Sequence, residues 1–411
     1  MRILYICHRL PTFILNEIIE LKERGHSILI LAADSSRLYK AVHEPIVKKN
    51  GLDKQFHKFF IVKSRKQKFF SVLKSLLHDL LVYPKSTIKA CFYLIQNYPN
   101  IKCGVEDYLD IRNFFDSGID IIHSPFSAPR MVDKVYLLSK ILNVPFTLCF
   151  RAHDIYQHDN ILEAIKRMRV INEAAQIMTI AIYNRDNLKI NLDIDKDIEI
   201  IHSAIDPSVF NTKDVSKSHK SIIAVSRLDE QKGIIYLIQA CHILHTRGIE
   251  YECTIIGEGA EKAFCEKIIA ERHIPNVRLI DYLPHEVIKE HLDHATVFVL
   301  PCEIAADGTR DILANALKEA MAMQVPVVTS NICGVEELVD DGINGMLVPP
   351  QNPEAIADAI EKIMNNPEQR RTMGEEARKK IMKHFNIKIE AQKLDEIFTK
   401  AVKHTSVPNL P

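Results

Sequence analysis

Two doubly wound, Rossmann-like α/β domains are the fold class this sequence predicts. Three observations predict it. Short apolar runs alternate with amphipathic helical stretches along most of the chain, the pattern of parallel sheets joined by crossover helices. The alternation pauses at a polar stretch, "NTKDVSKSHK" (211–220), and then restarts. The length, 411 residues, suffices for two cores of ordinary domain size. The expected division is 1–208, 209–375, and a helical tail, 376–411, packing back on the first domain.

The elements follow in order. "RILYICH" is a strand, and "ILNEIIELKERGH" has helical periodicity with Gly25 as its C-terminal cap. "SILILAA" is the next strand. "IDIIHSPF" and "VPFTLCF" are strands bracketing the helix "DKVYLLSKILN". "IMTIAI" and "IEIIHSAID" complete the first half. After the polar stretch, "SIIAVSRL", "YECTIIGEG", "VRLIDYL", "TVFVLPC" and "VPVVTSN" are strands, each followed by a helical pattern. Ligands are expected at the strand C-terminal ends of such sheets.

Composition excludes several classes. Lys and Arg balance Asp and Glu at 53 each, so no global charge points to nucleic acid. Nine scattered cysteines, odd in number and without a C-x-x-C pair, read as free thiols of a reducing, cytoplasmic compartment. No run of 18 apolar residues suggests a membrane span. Residues 46–102 depart from the average. They hold twelve Lys/Arg and two acids, Asp53 and Asp79, interleaved with apolar and aromatic residues. That mix suits a basic amphipathic insert lying on an anionic membrane surface, at the inner face. A helical pair with a solvated basic side is the plainer alternative.

The second half carries the chemistry. In "DGTRDILANALKEAMAMQVPVV" Asp311 precedes a helix and Glu319 lies eight residues on, about 12 Å at helical rise. Carboxylates accept hydrogen bonds from pairs of sugar hydroxyls. The helix N-terminus between them favours phosphate. In "VSRLDEQKG" Arg227 and Lys232 stand between a strand end and a helix start, where a guanidinium fork and an ammonium suit phosphate oxygens.

Together "VSRLDEQKG", "IIGEG", "YLPHEVIKEHLDHATVFVLP", "EAMAMQVPVVTS" and "GVEELVDDGINGMLVPP" resemble family 4 retaining glycosyltransferases of GT-B fold. "FILNEIIELKERGH", "IIHSPF", "RAHDIY", "TIAIYN" and "IIHSAIDPSVF" are similar to that family's exopolysaccharide branch. The resemblance implies a nucleotide-sugar donor as substrate, a glycan or lipid-linked acceptor, and neither cofactor nor divalent metal. It implies that Asp311 faces the donor sugar and Glu319 the ribose, and that Arg227 and Lys232 hold the diphosphate. Backbone N–H groups at Ile312 and Leu313 would reach sugar or phosphate, and Leu283 would line the base pocket. His153, with Asp154 beside it, would stand near the transferred sugar.

Four features depart from the family pattern. Asp311 stands where Glu is common, and Ile312 where Gly is usual. Gln324 replaces a helix-end Gly. The loop "CHRLPTFILNE" is short and lacks glycine. An active transferase, a sugar-nucleotide epimerase of the same fold, and a non-catalytic sugar-nucleotide-binding partner all stay open on the sequence.

Overall fold

The computed structural model describes residues 1–32, 44–58, 65–97, 101–157, 167–192, 194–212 and 220–406. Most of the expected linker, 213–219, lies outside them, as does Lys63 of the basic segment. The chain divides into two units. The first comprises 1–180, 185–201 and 391–411, and the second 181–184 and 202–390.

The first unit is a seven-stranded sheet ordered β3-β2-β1-β4-β5-β6-β7. Its strands are β1 (Arg2–Cys7), β2 (Ser27–Ala32), β3 (Phe56–Lys58), β4 (Ile121–Ser124), β5 (Phe146–Phe150), β6 (Gln176–Thr179) and β7 (Ile198–Ile200). All neighbours pair in parallel, with Ile3 of β1 opposite both Ile28 and Ile121. Helix α1 (Thr12–Glu23) follows β1 and turns Ile14, Leu15, Ile18 and Leu21 inward. It ends as its sequence requires. Gly25 takes φ +92°, its N–H donates to Lys22 O, and His26 N–H donates to Leu21 O.

Within the basic segment, α2 (Arg65–Val82) and α3 (Pro84–Asn97) form a helical pair. Residues 56–58, expected there as helix, instead form the edge strand β3. Three residues are too short for periodicity to show. Helix α4 (Pro129–Leu142) crosses from β4 to β5 and buries Met131, Val135 and Leu138.

The second unit is a six-stranded parallel sheet ordered β10-β9-β8-β11-β12-β13. Its strands are β8 (Ser221–Val225), β9 (Glu252–Ile256), β10 (Val277–Ile280), β11 (Val297–Leu300), β12 (Val327–Ser330) and β13 (Gly345–Val348). The order reverses between β8 and β11, so the loops after these two strands leave on opposite sides of one crevice. Helix α5 (Asn315–Ala322) follows β11 and leads into β12. The tail divides between the units. Helix α6 (Pro367–His384) belongs to the second, and α7 (Ile387–Ser406) joins the first from Ala391 on. There Asp395 of α7 meets His26 at 3.0 Å and Phe398 packs its ring against His123. Among the described residues no helix is long and apolar enough to cross a membrane.

Candidate functional site

The loop after β8 is held by backbone on both sides. Ser226 N–H donates to Ile256 O and Leu228 N–H to Glu258 O, and Leu228 O accepts from Glu261. Gly257, at φ +153°, allows this approach: a Cβ there would stand 1.8 Å from Ser226 O. At the loop's far end Gly233, at φ +62°, lies against Pro301, whose carbonyl a Cβ would meet at 2.0 Å. These two glycines therefore fix where Arg227 and Lys232 emerge. Arg227 is 69% exposed and rests on Asp229 at 2.9 Å.

Lys232 turns inward and pairs directly with the Asp311 carboxylate from the loop after β11. The sequence places these residues 79 positions apart, and the β8/β11 reversal brings them together. Burial opposes the Lys232 charge, but Asp311 outweighs it and raises the ammonium's pKa. Burial likewise opposes ionisation of Asp311. Lys232 more than offsets it and holds the carboxyl below the usual range. Both groups are thus charged at neutral pH, and both keep partial access to solvent.

The approach to α5 is not helical. Asp311 lies four residues before its first residue, and Leu313 takes φ +51°. The helical-rise reckoning from Asp311 to Glu319 therefore fails over its first half. Ile312 N–H donates to Asp311 Oδ1 at 3.1 Å, so the carboxylate is fixed by its own loop as well as by Lys232. Ile312 and Leu313 are both buried. Arg310 donates from Nε to Gly308 O and from Nη1 to Tyr183 Oη, at 3.1 and 3.2 Å.

Glu319 sits one turn into α5. Burial pushes its carboxyl up to about 7, with Lys318 acting in the opposite direction. Its charge in turn raises the pKa of Tyr282, for which burial is the larger cause. Tyr282 and the partly buried Leu283 follow β10, on the side of the sheet's edge. Lys318 is fully buried and donates to Ser203 O at 2.6 Å and Asn315 Oδ1 at 3.0 Å. Sequence reasoning passed over Lys318, although a lysine inside the apolar run "ANALKEAMAM" was the available signal.

His153 belongs to the first unit, in the short helix after β5, and its side chain is exposed. Partial burial, and then Arg9, lower its pKa. Its neighbour Asp154 is buried. Oδ2 accepts from the backbone N–H of Arg151 and of Ser127 at 3.0 and 3.1 Å, while Oδ1 has no hydrogen-bond partner among the described residues. Burial pushes this carboxyl up to about 6, against the pull of those two N–H groups.

Residues 208–380 match the family model described as glycosyl transferases group 1. That span contains Arg227, Lys232, Leu283, Asp311 and Glu319. This part of the chain is similar to the group 1 glycosyltransferases. Among its relatives is the amylovoran biosynthesis glycosyltransferase AmsK of Erwinia amylovora, 36% identical over 203 residues. The match covers 49% of this chain and 50% of AmsK, so the chain spans about half the length of that relative. The fold is GT-B. A glycosyltransferase from Rickettsia africae ESF-5 superposes with a TM-score of 0.72 at 17% identity, covering 98% of each chain. Anabaena Alr3699/HepE, solved in complex with UDP-glucose, superposes with a TM-score of 0.71 at 14% identity, covering 97% of this chain and 99% of that one.

Proposed function

We propose that this chain is a group 1 glycosyltransferase that moves a hexose-type sugar from a nucleoside-diphosphate donor to a glycan or lipid-linked oligosaccharide, with retention of anomeric configuration, in surface polysaccharide synthesis. One observation carries the reading: at the β8/β11 crevice, a pinned loop presents an exposed Arg227 and a charged Lys232 beside Asp311. The relationship to AmsK supports the polysaccharide setting, and HepE's complex with UDP-glucose supports the donor class.

The residues divide the work by charge. Cleaving the anomeric bond builds positive charge on the sugar and negative charge on the diphosphate. Fixed cations at the phosphates stabilise that state most where water is scarce. We assign this to Arg227 and Lys232, with the diphosphate joining the existing Lys232–Asp311 pair. Asp311 then faces the sugar, with the backbone at Ile312 and Leu313 alongside. Glu319 accepts from the ribose hydroxyls, and Leu283 borders the base. His153 keeps its assignment near the transferred sugar. A phosphate oxygen takes the acceptor's proton, so no side chain acts as nucleophile. A lipid-linked acceptor places the protein peripherally at the inner membrane face.

Thermal-shift screening against nucleotide-sugars identifies the donor, because a ligand of the folded state raises the melting point by mass action. Slow donor hydrolysis without acceptor, lost in Arg227→Ala, supports the transferase. Donor binding with no turnover, or release of an epimerised free sugar, overturns it.

A further inference from the structure

Two consecutive helices of the first unit turn an apolar face to solvent. Fifteen large hydrophobic side chains are exposed among the described residues, and six of them fall between positions 77 and 92. On α2 they are Leu77, Leu80, Leu81 and Val82, with Leu81 85% exposed. On α3 they are Ile88 and Phe92, with Phe92 63% exposed. Leu77 and Leu81 lie one turn apart, as do Ile88 and Phe92, so each pair forms a row on its helix. Exposed lysines continue those rows: Lys74 three residues before Leu77, Lys85 before Ile88, and Lys89 before Phe92.

The opposite faces are anchored. Leu76, Tyr83, Tyr93 and Leu94 pack against the core of the unit. Asp79, the only acid between 74 and 94, is fully buried and accepts from Tyr108 Oη and Arg112 Nε, each at 2.6 Å. Among the described side chains of the helical pair, the apolar rows are therefore fixed and flanked by exposed lysines, with no exposed acid between 74 and 94.

We propose that this face docks on an anionic lipid bilayer, with Leu81 and Phe92 entering the acyl boundary and Lys74, Lys85 and Lys89 meeting the headgroup phosphates. The proposal rests on the reading that the acceptor is lipid-borne, and names the surface that reaches it. Concentrated exposed apolar area marks an interaction site. An interfacial helix combines such a face with lysines, whose long stems let the ammonium reach the headgroups. The negative surface potential of a leaflet attracts the three cations. A second copy of the chain fits less well, because it would bring lysine rows against lysine rows.

The chain contains no tryptophan, so Phe92→Trp makes a single emitter at the centre of the claim. With the full chain at low salt, its emission should shift to the blue on adding mixed phosphatidylglycerol–phosphatidylcholine vesicles. It should stay unshifted with phosphatidylcholine alone. In flotation with the same vesicles, Leu81→Asp combined with Phe92→Asp should lower the bound fraction at least tenfold. Lys74→Glu, Lys85→Glu and Lys89→Glu together should do the same. None of these variants should change the thermal shift produced by the donor. Unshifted Trp emission with anionic vesicles, or double-Asp protein that floats like wild type, overturns the docking face. So does a wild-type dimer that the double-Asp variant splits without vesicle binding. Failure to bind any nucleotide-sugar overturns the donor reading instead, and flotation is scored independently of it.

Discussion

The two sheets reverse strand order at equivalent places, β1/β4 in the first unit and β8/β11 in the second, yet they use charge differently there. At the first reversal several ionisable groups are closed in, although His8 and Arg9 after β1 are exposed. Tyr5 Oη donates to Glu17 at 2.8 Å, His123 Nδ1 meets Thr147 Oγ1 at 2.8 Å, and Arg151 Nε donates to Pro125 O at 2.9 Å. The Arg151 guanidinium also covers the rings of Phe13 and Phe126, at 4.6 and 5.2 Å. Burial drives His123 down to about 3, so it is neutral. At the second reversal Arg227 stands in solvent, and Lys232 and Asp311 remain partly open. One topology thus supplies the same strand ends twice. At the first, the buried groups Glu17, His123 and Arg151 hold loops, and at the second Arg227, Lys232 and Asp311 are left able to meet a ligand.

The strongest test of that contrast is Lys232→Met. It removes a fixed cation from the proposed diphosphate site and leaves Asp311 without its partner. Turnover of the donor found by thermal shift should fall on the order of 100- to 1,000-fold, the scale seen when one preorganised charge donor is lost. Arg151→Met, its counterpart at the first reversal, should lower the melting temperature more than it lowers turnover per folded molecule. Steady-state rates and melting curves on both variants decide this. Equal turnover losses would erase the distinction between the two regions.

Next in size is the cost of closing Asp154 in. Its carboxyl sits at about 6 in the folded protein, against roughly 3.9 in an unfolded chain. The folded state therefore holds this proton more tightly. The stability it contributes is full below about pH 4 and is lost as pH rises to about 6, up to roughly 3 kcal/mol. Asp154→Asn cannot ionise. The stability of wild type relative to this variant should therefore fall between pH 4 and 6.5 and stay flat above. Urea midpoints across that range measure it. A flat difference throughout would mean that Asp154 is not penalised for its charge.

Glu319 gives the open site's own pH signature. With its carboxyl near 7, the carboxylate proposed to accept from the ribose hydroxyls forms only as pH rises through neutrality. Donor affinity should increase up to about tenfold from pH 6 to 8, because a charged acceptor bonds more strongly than a neutral one. Glu319→Gln should bind weakly and without that slope. Calorimetric titration at both pH values distinguishes the two.

Much of this was legible in the sequence, for reasons that differ by residue. Strands such as "VFVL" and "SILILA" are buried along nearly their whole length, so their apolar runs announce them. Edge strand β3, Phe56–Lys58, carries no such run. Arg227, Lys232 and Asp311 were nameable because turn residues and charges recur in motif order, but the motif gave no hint that Lys232 and Asp311 pair with each other. That contact comes from strand order, which a linear pattern does not encode. The inward turn of Asp154, away from its exposed neighbour His153, depends on a one-residue difference in a short helix. The burial of Lys318 depends on the carbonyl of Ser203, 115 residues earlier.

The smallest effect sharpens the comparison at a place where the two units should match. Helix α5 ends as α1 does: Gln324 N–H donates to Met321 O and Val325 N–H to Ala320 O, the pattern that Gly25 and His26 make in the first unit. The cap residue must adopt a left-handed backbone, and Gln324 does so at φ +56°. The Gln324 carbonyl is also tightly backed by α6, since a Cβ on Gly374 would lie 2.3 Å from it. The conformation is therefore fixed, and a residue with a Cβ carries its cost. Gln324→Gly should relieve about 1 kcal/mol of that strain, offset in part by the freer unfolded chain. The net gain should be about 0.5 kcal/mol, or roughly 1–2 °C in melting temperature. Leu313→Gly relieves similar strain at φ +51° but empties a buried position beside Asp311, so it should lose stability and turnover together. Differential scanning calorimetry of both variants separates strain that merely closes a helix from strain kept at the site. A Gln324→Gly variant that melts lower than wild type would show that the side chain, and not the left-handed turn, decides this cap.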